Sequence, residues 1–137
     1  MCNAVKPPLL FLVPVLCVLS CERPADDAPT LAARTQIGCF KTGLSVFQAD
    51  CGRLPSTAEG LAALITRPVN VPESQWHGPY AKDIPKDPWG HGYVYRCPSL
   101  HDTNSFDIYS CGPDGVSKSS GDDKDDISSW PKETFLR

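Results

Sequence analysis

The stretch that decides the fold is "TLAARTQIGCFKTGLSVFQAD", residues 30–50. Its large apolar side chains recur three or four residues apart and so fall on one face of an α-helix; they are Ile37, Phe40, Leu44 and Phe47. Thr30 is a suitable N-terminal cap, and Gly52 stands just past the end, where a C-terminal cap belongs. We therefore predict a long amphipathic helix whose apolar face belongs to the core of one small domain.

A second, shorter helix is predicted within residues 53–68. Ser56 stands three residues before Glu59, which is the spacing of a capping box. A segment rich in proline and glycine, residues 69–92, follows this helix. We expect this segment to be ordered, because large aromatic side chains are costly to leave in water; they are Trp76, Tyr80 and Trp89.

Two segments near the C-terminus have the composition of β-strands. "YVYRC" (93–97) and "FDIYSC" (106–111) alternate in polarity and flank a turn, which predicts an antiparallel hairpin. "DISSW" (126–130) is able to add a short strand. A long helix, a short helix and a small antiparallel sheet together predict an α+β fold.

The N-terminus has the pattern of an export signal. Residues 1–20 hold one lysine, an apolar run and a small residue, and the run contains a proline, which favours a signal peptide over a membrane span. Cys21 follows directly, as in a bacterial lipobox, so we predict lipidation of its thiol; the alternative is ordinary cleavage near Ser20. Residues 21–30 are predicted to be a flexible tether, and residues 131–137 a tail.

Four cysteines remain after Cys2 and Cys17 leave with the signal and Cys21 is lipidated; they are Cys39, Cys51, Cys97 and Cys111. An even number in an exported domain predicts two disulfides. The first two cysteines share one helix, about 18 Å apart, and the last two lie at opposite ends of the hairpin, about 17 Å apart. We therefore predict two helix-to-sheet bridges with the pairing left open, against the alternative of four free thiols.

The overall charge and the histidines exclude several functions. A net charge of −3 gives no basic surface, so we expect no nucleic-acid partner. The three histidines, His77, His91 and His101, are scattered and form no zinc-binding motif. Neither a nucleophile elbow nor a phosphate loop occurs, although a cysteine nucleophile with a histidine partner stays open. The sequence therefore predicts a protein that is not an enzyme.

"CGPDGVSKSSGDDKDDISSW", residues 111–130, carries a local concentration of negative charge. It holds five aspartates, no glutamate and three glycines. One interpretation is a solvated acidic loop, which is the usual fate of a run of charges. The other is an oxygen-rich cage for a calcium ion, which takes six to eight hard oxygen ligands.

Three segments resemble the G-type major pseudopilin family of type II secretion. "FQADCGRLPSTAEGLAALITRP", "GPYAKDIPKDPWGHGYVYRCP" and "FDIYSCGPDGVSKSSGDDKDDISSW" match the family's motifs in order, over about residues 31–130. The resemblance implies a long helix packed on a small antiparallel sheet, with a calcium-binding C-terminal loop. It also implies a protein that polymerises into a short periplasmic pseudopilus.

The resemblance further implies the calcium ligands. Side-chain oxygens would come from Asp114, Asp125 and Asp126, and backbone carbonyls from Cys111 and Val116. Asp122 and Asp123 are then solvated extras, or one of them replaces a closing ligand.

The N-terminus departs from this family. The family begins with a short basic leader, a Gly-Phe-Thr-Leu-Ile-Glu type motif and a long apolar helix, none of which this sequence resembles. We therefore predict a non-catalytic, calcium-stabilised lipoprotein on the periplasmic side of a membrane, with the outer membrane favoured, that binds protein partners such as secretion components. The alternatives are a true pseudopilus subunit assembled without that helix, and an exported enzyme.

Overall fold

The apolar stripe of residues 30–50 lies on one long helix. The structure, a computed structural model, describes residues 26–132. Helix α1 (Ala28–Cys51) begins before the predicted cap at Thr30, because the Asp27 carboxylate accepts a hydrogen bond from the Thr30 N–H at 3.3 Å. The predicted tether therefore already contains the first turn of the helix. Gly52 ends α1 as predicted: its φ is 71°, and its N–H donates a hydrogen bond to the Gln48 carbonyl.

The predicted second helix is much shorter than expected. The reciprocal pair of the capping box does form: the Glu59 carboxylate accepts from the Ser56 N–H at 2.7 Å, and the Glu59 N–H donates to the Ser56 hydroxyl at 3.3 Å. Only a 3₁₀ helix follows, over Leu61–Leu64. The reason is Gly60, whose φ of 62° and ψ of −166° interrupt any continuous helix.

Three short strands form one antiparallel sheet in the order β1 (Val94–Arg96), β2 (Asp107–Ser110) and β3 (Ile127–Ser128). Tyr95 of β1 lies opposite Ile108 of β2. Ser110 of β2 lies opposite Ile127 of β3. The predicted hairpin and third strand are both confirmed, and so is the α+β fold.

The core lies between α1 and the sheet. The four predicted helix residues are buried, and the core also takes in residues of the 3₁₀ helix and all three strands, including Leu61, Leu64, Tyr95, Ile108 and Ile127. Phe40 meets Tyr93 edge-on at a centroid distance of 5.2 Å, and Phe47 meets Tyr80 at 5.6 Å. The segment of residues 69–92 is therefore held on the core by aromatic rings, as predicted.

The four cysteines of the described domain are free thiols. Cys39 is exposed on α1, the Cys51 thiol lies 3.8 Å from the Gln75 carbonyl oxygen, and the Cys97 thiol lies 3.9 Å from the Ser105 carbonyl oxygen. These thiols occupy separate surroundings, so the structure does not form the predicted helix-to-sheet bridges, and bridging in the exported protein stays a prediction.

The predicted signal peptide and the Cys21 lipidation site lie outside the described residues, as does most of the predicted tail. Within residues 26–132, no helix combines the length and the apolarity that a membrane span requires.

Candidate functional site

The acidic loop, residues 111–126, joins β2 to β3 and folds back so that its two ends touch. Gly112 has a φ of 67°, and a Cβ placed on it would lie 2.2 Å from the backbone oxygen of Asp125. Gly115 has a φ of 70° and packs against the His91 ring, where a Cβ would lie 2.6 Å from Nε2. Only glycine fits these two close approaches, so both turns of the loop depend on glycine.

Asp126 is the buried anchor of the acidic loop, with 3% of its surface exposed. Its Oδ2 accepts hydrogen bonds from the Ser117 hydroxyl at 2.6 Å and the Asp123 N–H at 3.0 Å. Its Oδ1 is buried and has no hydrogen-bond partner. A buried carboxylate oxygen without a donor is costly, so this atom is the place in the loop where a cation is most favourable.

The other predicted calcium ligands are less deeply placed. Asp114 is exposed, and its Oδ1 accepts from the Val116 N–H at 2.8 Å. Asp125 and Cys111 are partly buried, and burial raises the pKa of the Cys111 thiol. Within the described chain, no three His, Cys, Asp or Glu side chains are gathered closely enough to hold a metal ion, so the three predicted carboxylates do not meet in one cluster.

Asp122 and Asp123 are held by hydrogen bonds rather than left as solvated extras. The two oxygens of Asp122 lie 2.9 Å from Trp130 Nε1 and 3.1 Å from His101 Nε2, and these contacts lower the pKa of the carboxyl. Asp123 accepts from the Ser119 hydroxyl at 2.6 Å and the Lys118 N–H at 2.5 Å, and its pKa is lowered too. Both carboxylates therefore fix the shape of the acidic loop.

Lys132 holds the closing end of the acidic loop, and the sequence did not predict this contact. Its ammonium donates to the carbonyl oxygen of Asp126 at 2.6 Å and also to that of Asp123. A single lysine after a tryptophan and a proline carries no recognisable signal in the sequence. One positive charge therefore already neutralises part of the loop's negative charge.

The opening end of the acidic loop is tied to the segment of residues 69–92 by Asp87. This carboxylate is 4% exposed and accepts from the Ser110 hydroxyl at 2.5 Å and the His91 N–H at 2.8 Å. The same Ser110 oxygen accepts from the Gly112 N–H at 3.1 Å. Asp87 therefore has a structural role.

A cysteine–histidine catalytic pair finds no support in the geometry of a groove that contains both residue types. Cys39, Asp50 and His77 line this groove, and His77 Nδ1 lies 3.4 Å from Asp50 Oδ2. Cys39 and Asp50 are eleven residues apart on α1, which places them about 16 Å apart along the helix axis. The carboxylate that orients His77 is thus far from the thiol, unlike in a catalytic triad.

Comparison with known proteins agrees with this fold. The family model described as "Type II secretion system (T2SS), protein G" matches residues 22–130. The chain is 37% identical to the type II secretion system core protein G of Pseudomonas aeruginosa over 108 residues, covering 77% of this chain and 73% of the relative. It is 34% identical to that of Vibrio cholerae over 126 residues, covering 91% and 81%.

A solved structure also matches the fold. The crystal structure of the major pseudopilin from the type 2 secretion system of enterohaemorrhagic Escherichia coli superposes with a TM-score of 0.62 and 31% sequence identity. The match covers 75% of this chain and 87% of that one. The relation therefore extends over nearly the whole of the solved chain.

These findings correct the main functional prediction. The relatives are named as core proteins of the secretion system and the structural neighbour as its major pseudopilin, so the main prediction, a lipoprotein that binds protein partners rather than a pseudopilus subunit, is wrong. The stated alternative, a true pseudopilus subunit, agrees better with them. Neither the lipid anchor at Cys21 nor an outer-membrane location receives support. The chain belongs to the type II secretion system protein G family.

Proposed function

We propose that this chain is a subunit of the pseudopilus of a type II secretion system. The observation that carries the proposal is the extent of the family match, which runs through α1, the sheet and the acidic loop over residues 22–130. The structural match to the major pseudopilin of enterohaemorrhagic Escherichia coli, at 87% of that chain, supports the same role.

The proposed activity is assembly rather than catalysis. As the family resemblance implies, copies of the chain stack into a periplasmic filament that contacts other secretion components. The partners are thus further copies of this chain and proteins of the secretion apparatus. A rigid domain suits this role, because subunits of a filament make the same heterologous contact many times over.

Self-association in cells tests the proposed function. Two full-length copies carrying different C-terminal tags are produced together in a host with a type II secretion system and treated with an amine-reactive cross-linker. We expect a ladder of cross-linked species containing both tags. Tagged copies that stay monomeric, while the host's own protein G forms the ladder in the same cells, would contradict the proposal.

We also propose that the acidic loop binds calcium through Asp126. The support is its buried Oδ1 without a partner, beside a loop whose glycine turns leave backbone carbonyls near the closing end. A further carboxylate oxygen would come from Asp114 or Asp125, and the carbonyls of Cys111 and Val116 would complete the set. Calcium accepts backbone carbonyls readily, so three clustered carboxylates are not required.

The thermal stability of the exported protein with calcium and with chelator tests this site. A ligand at about 100 times its Kd stabilises a folded protein by about 2.7 kcal/mol, which gives a clear rise in Tm. We expect this rise in the wild type and in Asp83→Asn, an exposed control, and its loss in Asp126→Asn. Direct calcium titration of the wild type by calorimetry tests binding even if the variant fails to fold. A wild type that binds no calcium would remove the proposal.

A further inference from the structure

His101 lies between two carboxylates that belong to different parts of the chain. Its Nδ1 is 3.1 Å from Asp107 Oδ1 at the start of β2, and its Nε2 is 3.1 Å from Asp122 Oδ2 in the acidic loop. The ring also stacks on Trp130, with a centroid distance of 4.0 Å and an interplanar angle of 27°. This side chain therefore connects the β1–β2 hairpin, the acidic loop and the segment after β3.

Both carboxylates are held in place by other groups. Asp107 is 1% exposed and accepts from the Ser99 hydroxyl at 2.5 Å and the Leu100 N–H at 2.9 Å. Asp122 is held from its other oxygen by Trp130 Nε1 at 2.9 Å. Neither acceptor is therefore free to turn away from the imidazole without breaking bonds of its own.

The two contacts together define the protonation state of the ring. Neither ionised carboxylate is able to donate, so each ring nitrogen must carry a proton to bond its partner. A neutral imidazole carries only one proton and faces one of the two carboxylates with a lone pair. The geometry around His101 is thus that of an imidazolium.

We propose that protonated His101 is a pH-sensitive clasp that fastens the acidic loop to the hairpin, and that loss of its proton releases one of the two attachments. The hairpin side is buried and fixed by Asp107, whereas Asp122 is exposed. The released attachment is therefore the one to the acidic loop. This assignment rests on neither the filament function nor calcium.

The charged groups around the ring favour this assignment. Burial acts to lower the pKa of His101, but the hydrogen bonds and charges of Asp122 and Asp107 outweigh it and raise the pKa above its ordinary value. Asp102 in the same turn and Lys41 of α1 line the adjacent cavity, and the charge of Lys132 acts on Asp122. The two carboxylates touch the ring nitrogens, so among the charged groups they have the strongest effect on the pKa of His101.

The direction of the pH dependence follows from the raised pKa. The unfolded chain has a histidine pKa of about 6.5, so the stability that the clasp contributes to the folded state is fully present below that pH. The contribution is lost as the pH rises through the higher pKa of the folded state. Carboxylates do not titrate in this range, which separates the effect from acid unfolding.

NMR titration of the full exported protein tests the clasp, with calcium held constant and the His101 resonance assigned by its loss in His101→Gln. We expect a His101 pKa above about 6.5, a lower value in Asp122→Asn, and no change in His77→Gln. His77 is the matched control, because its side chain is 66% exposed and lies near a single carboxylate. A His101 pKa at or below the ordinary value would overturn the proposal.

The melting temperature from about pH 5 to about pH 9 gives the second readout. We expect the wild type to melt about 4 °C above His101→Gln at the acidic end, with the two curves converging at the alkaline end. His77→Gln should follow the wild type throughout. Wild-type and His101→Gln curves that stay parallel would show that the ring packs without acting as a clasp.

Discussion

Replacing Glu59 by glutamine removes a charge from a carboxylate that is bonded on three sides. Its two oxygens accept from the Arg53 guanidinium at 2.7 Å each, and Oε2 also accepts from the Ser56 N–H at 2.7 Å. This bidentate pair and the capping bond fix the chain just after α1 ends, where it turns toward the 3₁₀ helix. The change to glutamine keeps the size of the side chain and weakens all three bonds.

The structure sets the magnitude of this effect. Hydrogen bonds from Arg53, together with the Ser56 N–H, lower the pKa of Glu59 from 4.5 to about 2. A shift of this size corresponds to about 3 kcal/mol if taken in full. Arg53 is 38% exposed, so solvent screens the pair and we expect a loss of about 1 to 2 kcal/mol at neutral pH.

Thermal unfolding as a function of pH provides the assay. Because the folded pKa is lowered, the contribution of Glu59 is present above about pH 4.5 and is lost as the pH falls toward about 2. We expect Glu59→Gln to melt about 4–12 °C below the wild type at neutral pH, with the gap closing in acid. Glu73→Gln, at an exposed glutamate, is the control. A gap that persists unchanged into acid would refute the reasoning.

Two further variants test the packing and the loop. Phe47→Ala should lower the free energy of unfolding in denaturant by about 3–5 kcal/mol, because the Phe47 side chain is fully buried. Val46→Ala, on the exposed side of the helix, should change it by less than about 0.5 kcal/mol. Equal losses in the two variants would contradict the assigned core face. Gly112→Ala should lower Tm and disorder the acidic loop, seen as faster amide exchange, because its Cβ would meet the facing backbone oxygen at 2.2 Å. Gly38→Ala is the control for this variant, because nothing lies within 4 Å of a Cβ placed on Gly38 and alanine favours the helix. A Gly112 variant as stable as this control would contradict the loop geometry.

The regular elements could be predicted because their signals are local. The spacing of Ile37, Phe40, Leu44 and Phe47 identifies the buried face of α1, and Gly52 identifies its end. The alternation in the two strand segments predicted the hairpin, in which Arg96 pairs with Asp107. Periodicity and capping chemistry are both properties of neighbouring residues, so a single sequence suffices to read them.

The predictions that were wrong, the start of α1 and the length of the second helix, depend on competition between caps and on one backbone angle. Asp27 displaced Thr30 as the cap of α1, because aspartate caps well and Pro29 fits the first turn. The positive φ of Gly60 reduced the second helix to one 3₁₀ turn. Neither outcome changes the apolar pattern, which is why the pattern did not predict them.

The loop contacts could not be predicted from the sequence, for a different reason. His101 lies 21 residues before Asp122, and Lys132 contacts the carbonyl oxygens of Asp123 and Asp126 rather than their side chains. Such contacts depend on how the hairpin and the loop fold over each other. The sequence identified the acidic loop as the candidate site but not the groups that hold it.

Electron microscopy of filaments sheared from secreting cells tests the central claim most directly. The full-length chain, carrying a small C-terminal tag, is produced in a type II secretion host that lacks its own protein G, and the filaments are labelled for the tag. We predict filaments that carry the label along their length at a regular repeat. An absence of labelled filaments, with the tagged chain recovered only as a periplasmic monomer, would contradict the account.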